Sequence, residues 1–137
     1  MPTNSLYRFS LFLLLCIFLL SACSGGVYDR AYTASGDGQS EDELSADEQF
    51  APDDDLNVVI KLNRRDDSAH VMTRFIDPNG ELLQEIEADA AENVGTVVMG
   101  VDFEAKADQV NLWTAGRYTV EVLLDGEKVD TLFFRVD

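Results

Sequence analysis

The side chains able to do chemistry are few and scattered. Cys16 and Cys23 carry the only thiols, and His70 is the only imidazole. A structural zinc site needs about four Cys or His ligands in close spacing, and this set does not supply them. As a general base, His70 lacks a Ser or Cys nucleophile beside it. It reads instead as a surface or edge histidine sharing a strand face with Met72, Arg74 and Ile76. Glu85 and Glu87 stand two apart, as do Asp102 and Glu104, so each pair shares one face of an extended strand. Paired carboxylates hydrolyse glycosides, but that chemistry uses a larger cleft than a small domain offers, and these pairs read as solvated faces. Asp53-Asp54-Asp55 offers the oxygens calcium prefers, yet consecutive side chains point apart and the EF-hand spacing is absent. The triplet reads as a solvated charge run. Trp113 is either a plug between two sheets or a platform for stacking a sugar. No glycine-rich phosphate loop occurs. No catalytic residue, metal site or cofactor is expected.

The context of Cys23 is more specific. Arg8 is the only charged residue before an unbroken apolar run, Leu11 to Leu20, which small residues follow at Ser21 and Ala22. Basic, then apolar, then small is the layout of a secretory signal peptide. A helix crossing the ~30 Å hydrocarbon core needs about 20 apolar residues, and this run is well short. Leu20-Ser21-Ala22-Cys23 resembles the lipobox of bacterial lipoproteins, position for position. The resemblance implies cleavage between Ala22 and Cys23 and a diacylglyceryl thioether on the Cys23 sulfur. It also implies acylation of the new amino terminus by a fatty acid such as palmitate. Two or three acyl chains anchor stably where one does not. Ser24 is unlike the Asp that, in enteric lipoproteins, resembles an inner-membrane retention signal. The expected location is therefore the outer membrane, facing the periplasm, with the bilayer as the partner of acylated Cys23.

Charge narrows the partners further. Removing 1–22 takes away Arg8 and no acid, leaving 26 acidic and 9 basic side chains, or 9 − 26 = −17. Nucleic-acid binding depends on Lys and Arg neutralising phosphates, and this balance excludes it. It also disfavours lying flat on anionic lipid. With Cys16 removed and Cys23 lipidated, the mature chain has no thiol left for a disulfide.

Three segments follow: a signal peptide over 1–22, lipidated Cys23 with an acidic linker over 23–55, and a folded domain over 56–137. Residues 24–55 hold ten acids against one base, Arg30, with no apolar period. Such composition predicts a disordered tether. Val27, Tyr28 and Tyr32 are its only candidates for a short docking motif.

From Leu56 the pattern turns to period two. Leu56, Val58, Ile60 and Leu62 predict a strand, as do Val71 to Ile76, Leu82 to Ala88, Val97 to Phe103, Arg117 to Leu124 and Val129 to Val136; Val110 to Trp113 predicts a short extra one. Asp77-Pro78-Asn79-Gly80 is a turn, and Gly100 suggests a bend or bulge. Asp125-Gly126 joins the last two strands. A strict two-residue loop throughout would set their apolar faces out of phase. Pairing Tyr118 with Phe134 and Val120 with Leu132 restores them, so a bulge or a three-residue loop is expected.

Six or seven short strands predict an all-β, antiparallel sandwich. Trp113 to Tyr118, followed by the closing strand pair, resembles the end of the immunoglobulin-like modules common in bacterial envelope proteins. Tyr118 stands where their tyrosine corner would be. That resemblance covers the last 25 or so residues and implies a fold, not a reaction. Val59, Leu83, Leu123 and Phe133 fall on the outward phase of their strands and make a candidate partner-binding patch. The functional expectation is a non-enzymatic, membrane-anchored envelope lipoprotein that binds a protein partner. The alternative is a small-ligand or carbohydrate binder acting near Trp113.

Overall fold

The computed structural model describes residues 26–101 and 113–137. Among these, β1 (Tyr28–Ser35), a single 3-10 turn (Glu41–Glu43), β2 (Ser45–Ala46) and β3 (Gln49–Phe50) precede the predicted domain. Then come β4 (Leu56–Leu62), β5 (Ala69–Ile76), β6 (Leu82–Ala90), β7 (Thr96–Val101), β8 (Gly116–Leu124) and β9 (Glu127–Val136). One sheet runs β2-β1-β4-β7 and the other β3-β9-β8-β5-β6. All pairings are antiparallel except β3 with β9.

The inward residues alternate as the period-two pattern requires. Leu56, Val58, Ile60 and Leu62 of one sheet meet Val71, Phe75, Tyr118, Val120, Val122, Leu124, Phe134 and Val136 of the other in a single apolar core. Full burial contributes roughly 1.5–3 kcal/mol for each such large side chain.

The expectation of a disordered tether over 24–55 is corrected for most of its length. β1 pairs along β4 from Tyr28↔Leu62 to Ser35↔Leu56. The segment then crosses from one sheet to the other, with β2 on β1 and β3 on β9. The folded domain therefore includes Tyr28 to Phe50, not only 56–137. The ordering force is the ladder of β4, whose far edge β1 satisfies. Val27, Tyr28 and Ala31 also pack on the core.

The remaining turn chemistry is local. The final hairpin has a true two-residue turn: Leu124 faces Glu127, and Asp125 and Gly126 take φ of 49° and 83°. The phase is restored by a bulge between Val122 and Leu123, giving the expected Tyr118↔Phe134 and Val120↔Leu132 pairs. Gly100 is not a bulge, because β4 and β7 pair without a shift from Leu56↔Val101 to Lys61↔Thr96. It makes room: a Cβ there would lie 2.7 Å from Asn57 Oδ1. The short strand expected at 110–113 and the far end of the one expected at 97–103 lie outside the described residues, although Trp113 itself is described.

Candidate functional site

The tyrosine corner forms. Tyr118 Oη donates to Thr114 O at 2.8 Å, four residues upstream. Around it, Trp113 meets Tyr118 edge-on at 5.1 Å and Phe134 at 5.5 Å, while Tyr118 and Phe134 stack at 4.9 Å. Trp113 is only 7% exposed and belongs to the core. It is the inter-sheet plug, and the sugar-stacking expectation at Trp113 is corrected: little of the ring faces solvent.

The four candidate patch residues are not brought together. Val59 lies on the outer face of the β1-β4-β7 sheet and is 0% exposed. A strap over residues 36–44 is pinned on either side of it. Asn57 Nδ2 donates to Gly36 O at 2.7 Å, while Glu41 accepts from Lys61 Nζ and, at 2.9 Å, from Tyr32 Oη. Lys61 and Tyr32 together hold the Glu41 carboxyl below its ordinary pKa. Leu83 belongs to the other sheet, as the extra residue of the irregularity that pairs Ile76 with Leu82 and Phe75 with Gln84. Leu123 and Phe133 share that sheet's outer face, but the Glu121–Thr131 pair separates their rows. Leu123 is half-buried and Phe133 is 45% exposed.

Tyr28 and Tyr32 serve the fold rather than an open docking motif. Tyr32 holds the strap, and Tyr28 Oη donates to Asp130 of β9, tying the two sheets along one side. Burial and the Asp130 carboxylate raise the Tyr28 pKa strongly.

The polar clusters resolve into ladders on the outer face of β5 and β6. Arg74 donates to Glu85 at 2.9 Å and to Glu121 at 3.2 Å. His70 Nδ1 lies 2.8 Å from Asp89 and Nε2 lies 3.2 Å from Glu87. Hydrogen bonding to Asp89 leads the causes that raise the His70 pKa. In the acidic triplet, Asp54 accepts from the Ala51 N–H at 2.7 Å, closing a turn. Among the described residues, no three possible metal ligands cluster. Ala22, Cys23, Asp102 and Glu104 lie outside the described residues.

Two open features remain. The first is β6, which among the described residues pairs only with β5 and so ends its sheet. Leu82 and Leu83 at its start are 47% and 52% exposed, and Glu85, Glu87 and Asp89 follow on one face. The second is an open groove of about 880 Å³ beside Phe133, Arg117 and Arg135 at the end of β9. Sequence reasoning named Phe133 but missed both arginines. Their cross-strand pairing was already implied once Tyr118 was set opposite Phe134.

The two-sheet order and the tyrosine corner now meet an independent comparison. The chain is similar to an immunoglobulin-like protein from Pseudomonas aeruginosa, with a TM-score of 0.50 and 12% identity over 82% of this chain and 95% of that one. The fold is immunoglobulin-like. At that identity the likeness extends to the fold alone. No protein-family model matches the chain, and no curated protein matches it.

Proposed function

We propose that this chain is a lipid-anchored envelope module that binds a protein partner and catalyses no reaction. The anchor rests on the lipobox-like Leu20-Ser21-Ala22-Cys23 run behind an apolar leader. The binding role rests on one structural observation, the exposed edge of β6.

A free edge offers backbone donors and acceptors to an added strand. Along β6 the first residues, Leu82 and Leu83, are exposed and uncharged, while Glu85, Glu87 and Asp89 alternate farther on. That row of carboxylates would repel the same edge of a second copy of this chain. It fits an extended segment of another protein with Lys or Arg at alternate positions. Opposite charges directly across a strand pair contribute roughly 0.2–1 kcal/mol each, so the acids select the partner while main-chain bonds and the two leucines supply most of the affinity.

The test is cross-linking in intact cells followed by capture, comparing wild type, Cys23→Ser and the charge reversal Glu85→Lys/Glu87→Lys/Asp89→Lys. The proposal expects labelled palmitate on wild type and on the charge reversal, both of which keep Cys23, and none on Cys23→Ser. It also expects one partner, cross-linked through a basic segment, that the triple variant loses although it still folds. An unlabelled wild type removes the anchor. A partner retained undiminished by the triple variant removes the β6 site.

A further inference from the structure

The three acids along β6 are held by two different kinds of cation. Glu85 stands directly opposite Arg74 and accepts from it at 2.9 Å. A guanidinium keeps its charge at every pH a folded protein meets, so that hold is constant. Asp89 stands directly opposite His70, and Glu87 is its diagonal neighbour, opposite Met72. Nδ1 of His70 lies 2.8 Å from Asp89 and Nε2 lies 3.2 Å from Glu87. An ionised carboxylate only accepts hydrogen bonds, while a neutral imidazole has one donor nitrogen and one acceptor nitrogen. Carboxylates at both nitrogens are therefore satisfied together only by the imidazolium. The charged ring holds both acids, and the neutral ring holds one at most.

The surroundings leave this task to His70. Asp125 of the β8–β9 turn accepts the His70 backbone N–H at 2.9 Å and adds a further carboxylate on that side. β8 sets the uncharged Leu123 opposite Met72. Lys128 of β9 is bonded to Glu121, and Arg74 to Glu85 and Glu121. The loop leading into β5 carries Arg64, Arg65, Asp66 and Asp67, and Arg65 is turned to the carbonyls of Ala90 and Val94. Of all these cations, His70 is the one whose ordinary charge change falls between about pH 5 and 8. Its side chain is 40% exposed, so it exchanges protons with bulk water.

We infer, on the reading that β6 is the partner's edge, that His70 sets the affinity of that edge by pH. Protonated, it occupies Glu87 and Asp89 and opposes a basic strand. Neutral, it releases at least one of them to the Lys or Arg of the incoming strand. Cross-strand charge pairs at two positions amount to about a three- to tenfold change in affinity. Coupling of two binding events is reciprocal, so the bound basic strand also drives the proton from the ring.

The test uses the purified, untagged full-length chain in detergent micelles and a rhodamine-labelled, amidated peptide of alternating Val and Lys. Its lysines stay charged throughout a scan from about pH 5.5 to 8.5. Fluorescence anisotropy should show wild type binding about three- to tenfold more tightly at the alkaline end. His70→Gln should bind with the alkaline wild-type affinity across the scan, and His70→Arg with the acid one. The chain has one histidine, so its ring C–H proton resonance follows the titration directly. Saturating peptide should lower the proton affinity of the ring by the same factor. Circular dichroism checks that each variant keeps the fold. No binding by wild type at any pH would overturn the β6 reading and the switch with it. Binding with no pH dependence, a pH dependence kept by His70→Gln, or a ring titration unmoved by peptide would overturn the switch alone and leave the β6 edge standing.

Discussion

Lys61 of β4 and Glu41 of the strap are joined by a salt bridge across the outer face of the first sheet. Glu41 also accepts the Tyr32 hydroxyl at 2.9 Å. One carboxylate thus holds the strap to two adjacent strands, and Val59 beneath is fully buried. Glu41→Gln weakens both contacts without changing volume. It should speed amide hydrogen exchange several-fold over 36–44 while β8 and β9 keep their protection. Unchanged exchange in the strap would mean that Asn57 and Gly36 hold it alone.

The same carboxylate sets an acid limit. The folded pKa of Glu41 is lowered, chiefly by Lys61 and then by Tyr32. Its contribution is complete above the ordinary glutamate pKa and is lost as pH falls through the lowered value. His70 has the opposite sign. Its folded pKa is raised by Asp89 and Glu87, against some desolvation. Asp125, across from it on the β8–β9 turn, accepts the His70 backbone N–H at 2.9 Å and faces it from that side. The His70 contribution is complete below the ordinary histidine pKa and is lost as pH rises through the raised value. Melting curves of His70→Gln should therefore fall below wild type in mild acid and converge with it at alkaline pH. A gap that widens with rising pH would contradict the bridge.

Gly116 opens β8 at φ +145°, and a Cβ there would meet Pro78 Cγ at 2.5 Å. The β5–β6 turn therefore packs directly on the entry to β8. Gly116→Ala adds both strain and overlap and should cost about 1–3 kcal/mol, read from urea midpoints. Gly126 has positive φ as well, but nothing lies within 4 Å of its Cβ position. Gly126→Asn should be nearly neutral, because Asn tolerates that backbone region.

Arg65 reaches the loop that carries the chain from β6 to β7. It donates to Val94 O at 2.8 Å, to Ala90 O at 3.0 Å and to Ala91 O. A planar guanidinium fork is suited to several carbonyls at once, where an ammonium is not. Arg65→Lys should cost about 1–3 kcal/mol and loosen 90–95 in hydrogen exchange. Tyr118→Phe removes the hydroxyl's bonds to Thr114 O and Thr114 Oγ1 and keeps the ring packing, and it should cost about 1–2 kcal/mol.

The strands with large inward side chains were legible because their period was clean. β4, β5, β8 and β9 carry Val, Ile, Leu, Phe and Tyr at alternate positions, and the hairpin bulge followed from phase alone. β1 was not legible because, past Tyr28 and the register shift that follows it, its inward side chains are small: Ala31 and Thr33 face Ile60 and Val58. Its second tyrosine, Tyr32, lies on the opposite face and bonds Glu41 of the strap. Acidic neighbours lowered the apparent hydrophobicity of the whole segment, while the burial that orders it comes from β4, distant in sequence. Val59 failed as a patch residue for the same reason, since period two gives the face but not what covers it. Trp113 could be read as plug or platform until its packing against Tyr118 and Phe134 was known. Arg117 and Arg135 gave no motif, because their juxtaposition is a property of the register.

The most direct measurement places a photo-activated phenylalanine analogue at Leu83, with a second copy of the experiment at Asp42, an exposed residue of the strap over the other sheet. The account predicts one discrete adduct in intact cells from Leu83 and not from Asp42, mapping to a segment of the partner with alternating Lys or Arg. The same adducts from both positions, or none from Leu83, would contradict binding through the β6 edge.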